Sequence, residues 1–556
     1  MRKWSLLLVV VLVVAMLPTL PDSPSAAAQE GKTFVWGAEA NPVQLDPAVV
    51  TDGASFRVTV QGCEPLLFYD GSTTNPIPGL AKSWTTSEDG LVWTFELVDN
   101  ATFHDGTPFN AEAVVYNFER WRFTTHPTHW AESVFEYYDA MWGGFDDSEN
   151  RIIDKVEATG EFQVTFTLTS PYGSMLNTLA MPMFSIASPA AIEAAGAQYG
   201  TPEVGYSCTG PYTFVEWVSD DHVTLARNAT YWGDFPGNTD QVVFRIIPDA
   251  AARFAALQSG EIDGFEGPNV EDLEAIEGSD NMQVLMRGPL NVMYLAFSYR
   301  VKEFQDVNVR KAIAMAINRQ EIVDAFYPPG AVIATTMIPP SLWGYNADVP
   351  AFDYDPEAAK ALLAEAGYPD GFSEVSIMKV DENGVVTDEV ETTMPLTLYY
   401  QPVARPYNPD GEGIGEAMVS YLADIGLEAE LGSVGDWSAY LEARSNGELN
   451  GLYQLGWTGD NGDPDNFLGY FYAANPVARE GFYSNAEVGT LLMQARAMAD
   501  QAEREPIYQQ VEVLQHDEVA RVYIAHTGVP LAFSTRVSGY VPNPLSTEHF
   551  KLVTVE

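Results

Sequence analysis

Arg405 and Asp460 are the residues of this chain whose types and setting could hold a charged small molecule. Asp460 lies in Gly456-Trp457-Thr458-Gly459-Asp460-Asn461-Gly462-Asp463-Pro464-Asp465-Asn466-Phe467, a polar stretch that follows the apolar run Leu452-Tyr453-Gln454-Leu455. Gly, Asn, Asp and Pro set its backbone as a series of turns. Three carboxylates close behind a Trp point to a cation site, a metal site or a tight turn, and what faces Asp460 decides among them. A guanidinium grips a carboxylate bidentately, and a carboxylate takes an ammonium in a short charge-assisted bond. A free dipeptide carries both groups, and at ~3.3–3.6 Å per residue its ends lie within roughly 7 Å of each other. Fixed partners for those ends would act as a length filter, because a buried unpaired charge is costly. The plainer alternative is that Arg405 and Asp460 pair with neighbours inside their own loops.

The elements around these residues read as β-α-β-α-β. Residues 396–401 form a strand, and Arg405-Pro406-Tyr407-Asn408-Pro409 a loop. Ile414, Met418, Leu422 and Ile425 make a helical stripe closed by Gly426. Leu427, Ala429 and Leu431 alternate as a second strand, Asp436 caps a short helix, and residues 452–457 are the third strand. Such an order predicts parallel strands. Arg405 and Asp460 then each sit just beyond the carboxyl end of a strand, where open α/β sheets place ligands.

The rest of the chain is globular and too long for one core: 556 residues with 12% aromatics. Hairpins are predicted over 84–97 and 152–168, an Asn110-capped helix through Trp121, a helix opened by Ser188-Pro189, and one running from Asp355-Pro356 to Gly367. Residues 381–391 read as an acidic surface insertion. Arg2 and Lys3, the apolar run 6–17 and Ala26-Ala27-Ala28 read as a signal peptide cut after Ala28, giving an exported protein without a membrane span.

The net charge of −49, from 28 bases and 77 acids, argues against nucleic acid or an anionic membrane as partner. It suggests a high-salt environment, where screening shortens the range of self-repulsion. An exported compartment permits a disulfide between Cys63 and Cys208; the alternative is two buried thiols. Two cysteines make no zinc or iron–sulfur site unaided, and His126 and His129, separated by Pro127 and Thr128, read as surface histidines. Asp463 and Asp465 could in principle serve a hydrolase as a carboxyl pair, but acids beside Pro464 more often shape a turn, and no G-x-S-x-G elbow occurs. Residues 460–465 do not fit the spacing of a calcium-binding EF-hand loop, which wants a bidentate Glu at its end.

From about residue 33 to the end the chain resembles the extracytoplasmic solute-binding proteins of peptide and nickel ABC importers, most of all their dipeptide receptors. The resemblance rests on Asp89-Gly90 with Trp93-Thr94-Phe95, on Phe103-His104-Asp105-Gly106-Thr107-Pro108-Phe109 running into Ala113-Val114-Val115, and on Thr209-Gly210-Pro211-Tyr212. It continues in Val309-Arg310-Lys311-Ala312-Ile313 and Trp343-Gly344-Tyr345-Asn346, and is most specific in Pro402-Val403-Ala404-Arg405-Pro406-Tyr407-Asn408-Pro409 and in Gly456 to Phe467. It implies an α/β, periplasmic-binding-protein-like fold: two hinged lobes with an additional domain. By that pattern residues 1–28 are the signal peptide, lobe I comprises 29–70, 205–292 and 528–556, the additional domain 71–204, and lobe II 293–527. The crossings between lobes fall near 290–298 and 523–529.

The resemblance further implies a binding protein with no catalytic residue, metal or cofactor. Asp460 is expected to hold the α-ammonium of a dipeptide or short peptide and Arg405 its carboxylate, with Tyr407 and Trp457 nearby and backbone of residues 51–55 adding hydrogen bonds. Partners are the peptide and an ABC importer permease, which recognises the closed form of a monomeric receptor. The same fold could instead carry longer peptides, haem, a nickel chelate or an oligosaccharide, and a secreted hydrolase is the remote alternative. The cysteines and the 381–391 insertion depart from the family pattern, away from the pocket.

Overall fold

The computed structural model describes residues 31–131, 133–473 and 480–556, so the expected signal peptide lies outside the described residues. Three sheets carry the architecture. A seven-stranded sheet is ordered Met282–Arg287, Val529–Ser534, Gly264–Glu266, Lys32–Ala38, Thr239–Ile246, His222–Arg227, Tyr212–Val218. Its centre is parallel (Lys32–Ala38 runs alongside both Thr239–Ile246 and Gly264–Glu266) and its flanks are antiparallel. A six-stranded sheet is ordered Val332–Ile333, Arg521–His526, Asn291–Phe297, Leu452–Thr458, Thr397–Tyr399, Glu430–Gly432. Between Lys32–Ala38 and Tyr212–Val218 of the seven-stranded sheet the chain builds an antiparallel four-stranded sheet from two hairpins, Ala81–Thr86 with Val92–Leu97 and Ile153–Gly160 with Gln163–Leu168.

Local chemistry sets these elements. Asn110 accepts a hydrogen bond from Ala113 N (3.0 Å) to open the helix Ala111–Arg122, whose Val114, Phe118 and Trp121 are buried against the four-stranded sheet. Ser188 caps Pro189–Ala195, with proline at its first position, and Asp355 caps Pro356–Glu365. The strand Thr397–Tyr399 pairs in parallel with both Glu430–Gly432 and Leu452–Thr458, as the β-α-β-α-β order predicts. The expected insertion is a two-stranded ribbon: Val386–Pro395 pairs with Glu374–Val380 and is exposed along most of its length.

The two main sheets are joined where the chain leaves Arg287 for Asn291 and where it leaves His526 for Val529. The first crossing is therefore 288–290, ahead of the expected 290–298, because Asn291–Phe297 is buried along its whole length inside the second sheet. The second crossing is Thr527-Gly528. Asn291 stitches them together: its Nδ2 donates to Thr527 O (2.8 Å), its Oδ1 accepts from Thr527 N (3.1 Å), and its carbonyl accepts from His526 Nδ1 (2.7 Å). On the side of the seven-stranded sheet, Arg287 is buried and donates to Glu548 (2.7 Å) and Glu266 (2.9 Å). The structure joins Cys63 to Cys208 within the core packed on the seven-stranded sheet, with Cα atoms 4.9 Å apart.

Candidate ligand-binding cleft

The stretch after Leu452–Thr458 is held from both ends. Gly459 N donates to Leu290 O (2.8 Å), fixing the loop to the first crossing, and a Cβ at Gly459 would strike Phe467 at 2.5 Å. Asn466 organises the turn beyond it. Its Oδ1 accepts from Trp457 Nε1 and from Asp460 N, each at 3.0 Å, and its Nδ2 donates to Asp460 Oδ2 (3.1 Å). Asp463 caps the short helix Pro464–Phe467 by accepting from Asp465 N (2.9 Å). The same carboxylate is gripped on both oxygens by Arg504 at 2.7 Å, fully buried. Asp465 accepts from Arg496 at 2.8 Å.

The three carboxylates thus divide. Asp463 and Asp465 are consumed by arginines and turn geometry, which leaves no carboxyl pair for hydrolysis. Asp460 has no basic partner among the described residues. Its partly exposed side chain sits deep enough that burial pushes its pKa up to about 6, with the Asn466 amide opposing the shift. Among the described residues no group of His, Cys, Asp and Glu is arranged to hold a metal ion. His126 and His129 are half-buried and separately engaged, by Thr128 Oγ1 (3.0 Å) and Arg120 O (2.8 Å).

Arg405 lies in the loop beyond Thr397–Tyr399, in a tight turn closed by reciprocal 2.9 Å backbone bonds with Asn408. Its guanidinium is exposed, 4.8 Å from the Trp437 ring centre, and has no acidic partner among the described residues. Tyr407 is buried; its carbonyl accepts from Tyr327 OH (2.8 Å), and its ring lies where a Cβ on Gly456 would be, at 2.2 Å.

Arg405, Tyr407, Trp457 and Asp460 border one cleft of about 400 Å³, a volume suited to a small ligand. Trp437, Arg444, Tyr470 and Phe471 complete much of its wall. Trp457 is stacked on Tyr470 with ring centres 5.0 Å apart. Burial raises the pKa of Tyr137, in the additional domain, and the charge of Asp460 adds to the rise. A hollow of about 610 Å³ in the additional domain is larger, but its Arg122 and Lys155 already pair with Asp146 and Glu157. Residues 51–55 do not border the cleft; they open the short helix Gly53–Thr59, capped by Asp52. Asn466, Trp437 and Arg444 were not singled out in the sequence. Asn466 carried a local signal, six residues after Asp460 at the end of the same turn.

Two sheets joined by two crossings, an added domain and a cleft lined from strand ends define a two-lobed solute-binding protein. The family model "Bacterial extracellular solute-binding proteins, family 5 Middle" matches residues 75–478. The chain belongs to this family of extracellular, non-catalytic solute-binding proteins. It is 33% identical over 545 residues to the dipeptide-binding protein of Escherichia coli (strain K12), covering 96% of each chain. It is 32% identical over 547 residues to heme-binding protein A of Haemophilus influenzae, covering 96% of this chain and 94% of that one. The solved structure of the ABC transporter-associated periplasmic binding protein DppA from Helicobacter pylori, in complex with the peptide STSA, is 29% identical. It superposes with a TM-score of 0.70 over 95% of this chain and 98% of that one. The fold is thus that of the large periplasmic binding proteins, and no helix among the described residues is long and apolar enough to cross a membrane.

Proposed function

We propose that this protein captures short peptides, dipeptides best of all, and delivers them to an ABC importer permease as a monomer. One observation carries the reading: a guanidinium and a carboxylate, neither neutralised by an opposite charge among the described residues, border the same cleft. Asp460 takes the α-ammonium and Arg405 the carboxylate, while Tyr407 and Trp457 wall the space between. Closure of lobe I (29–70, 205–292, 528–556) and the additional domain (71–204) onto lobe II (293–527) would bury the ligand between them. The names of two similar proteins, a dipeptide-binding protein and a DppA carrying STSA, support peptide cargo.

Calorimetry with di-, tri- and tetrapeptides tests the length filter: dipeptides are expected to bind most tightly, and equal affinity across the three would refute the clamp. Arg405→Ala and Asp460→Ala are each expected to lower dipeptide affinity at least ~100-fold, the scale of a lost charge-assisted bond in a desolvated site. Haem is the second reading, favoured by the aromatic wall and by the Haemophilus relative's name. Haem has no ammonium for Asp460, so a Soret titration giving no saturable shift is the expected outcome.

A further inference from the structure

Beside Arg444 the wall of the cleft holds more hydrogen-bond donors than acceptors. Arg521 is in register with Ala296, and Ala296 with Tyr453, so Arg521, Tyr453 and Tyr294 share one face of the six-stranded sheet. The Arg521 guanidinium lies 4.0 Å from the Tyr294 ring centre and 5.0 Å from that of Phe471. Glu480 accepts from Arg521 and also from Arg444. One carboxylate thus serves two guanidiniums, each with five N–H donors. Arg521 otherwise reaches a weak acceptor, Met337 Sδ at 3.9 Å. Arg444 borders the cleft, its side chain is 10% exposed, and its Nε is buried with no acceptor among the described residues. The Tyr453 hydroxyl is buried as well, with no hydrogen-bond partner among the described residues. Buried donors in folded proteins are normally satisfied, and a concentration of them around a cleft-facing guanidinium is complementary to a carboxylate.

We propose that Arg444 is a specificity-determining residue that receives the side-chain carboxylate of the peptide, so that the preferred cargo is a short peptide containing Asp or Glu. The proposal rests on the peptide reading and adds a third charged contact to its two. With Arg405 and Asp460 engaged by the ends of the peptide, an acidic side chain is the group left to meet a further cation. Glu480 remains paired with Arg521 when Arg444 is replaced, so the site tolerates the change.

Calorimetry in low-chloride buffer with Ala-Ala, Ala-Glu, Ala-Gln, Glu-Ala and Gln-Ala tests this. In one of the two orders the Glu peptide is expected to bind at least ~10-fold more tightly than its Gln isostere, as a charge-assisted bond to a held guanidinium requires. Arg444→Gln, checked for cooperative thermal unfolding, should bring that ratio to about one, and Arg444→Lys should restore part of it. Equal binding of Glu and Gln peptides in both orders, or a ratio that survives Arg444→Gln, overturns the proposal. So does added chloride raising the Gln peptide to the affinity of the Glu peptide, which assigns the donors to a free ion. If no dipeptide binds, Ala-Ala included, the peptide reading itself fails.

Discussion

Asp460 is a half-buried carboxylate with the Asn466 amide as its side-chain partner. Its pKa of about 6 stands above the unfolded value of about 3.9, so between those limits the folded state holds more protons than the unfolded one. Stability contributed by this group therefore falls as pH rises from about 4 to about 6. Asp460→Asn is expected to raise the urea midpoint of the ligand-free protein at pH 7.5 and to have little effect at pH 4; destabilisation at pH 7.5 would contradict the account. Ligand binding runs the other way. If the anion meets an ammonium, dipeptide affinity should be highest near pH 7, where the peptide's α-amino group is still largely protonated, and fall up to ~10-fold per pH unit below about 6, the acid-side dependence that Asp460→Asn should abolish. The sequence singled out Arg405, Tyr407, Trp457 and Asp460, and the structure places all four at one cleft. It read Asp463 and Asp465 as turn-shaping acids but did not foresee their arginines, since Arg496 and Arg504 lie 31 and 41 positions away in the chain.

Among the elements, the turn that carries Asp460 depends on the buried fork between Asp463 and Arg504. Arg504 also donates to Gly173 O of the additional domain (2.9 Å). Removing one member of such a pair strands the other, so Arg504→Ala should cost ~3–5 kcal/mol in denaturant unfolding. Replacing both cysteines by Ala should cost ~2–5 kcal/mol while leaving dipeptide affinity within about twofold, because the bridge lies in the core of the seven-stranded sheet and does not line the cleft. The parallel trio of strands was legible because each has a polar-capped helix between it and the next. The ribbon Val386–Pro395 was not: nearly exposed throughout, it has no buried face to impose alternation on its sequence. The uniformly buried run Asn291–Phe297 gave no hint of which sheet it joins, so the crossing was expected too far along the chain.

At the scale of the whole molecule, 77 acids against 28 bases load the surface with like charge. Screening should relieve that load, so the melting temperature is expected to rise between dilute buffer and molar potassium chloride; a flat response would remove the argument for a saline habitat. Small-angle scattering should record a smaller radius of gyration on addition of a bound peptide, as two lobes closing requires. The three-way stitch of Asn291 to Thr527 and His526 gives that motion a particular character. Two separate ribbons could twist or slide past each other. Riveted together they would restrain the lobes as a spine restrains the covers of a book. On the peptide reading, a ligand would then be measured against walls held to one line of approach, as a gauge measures a rod.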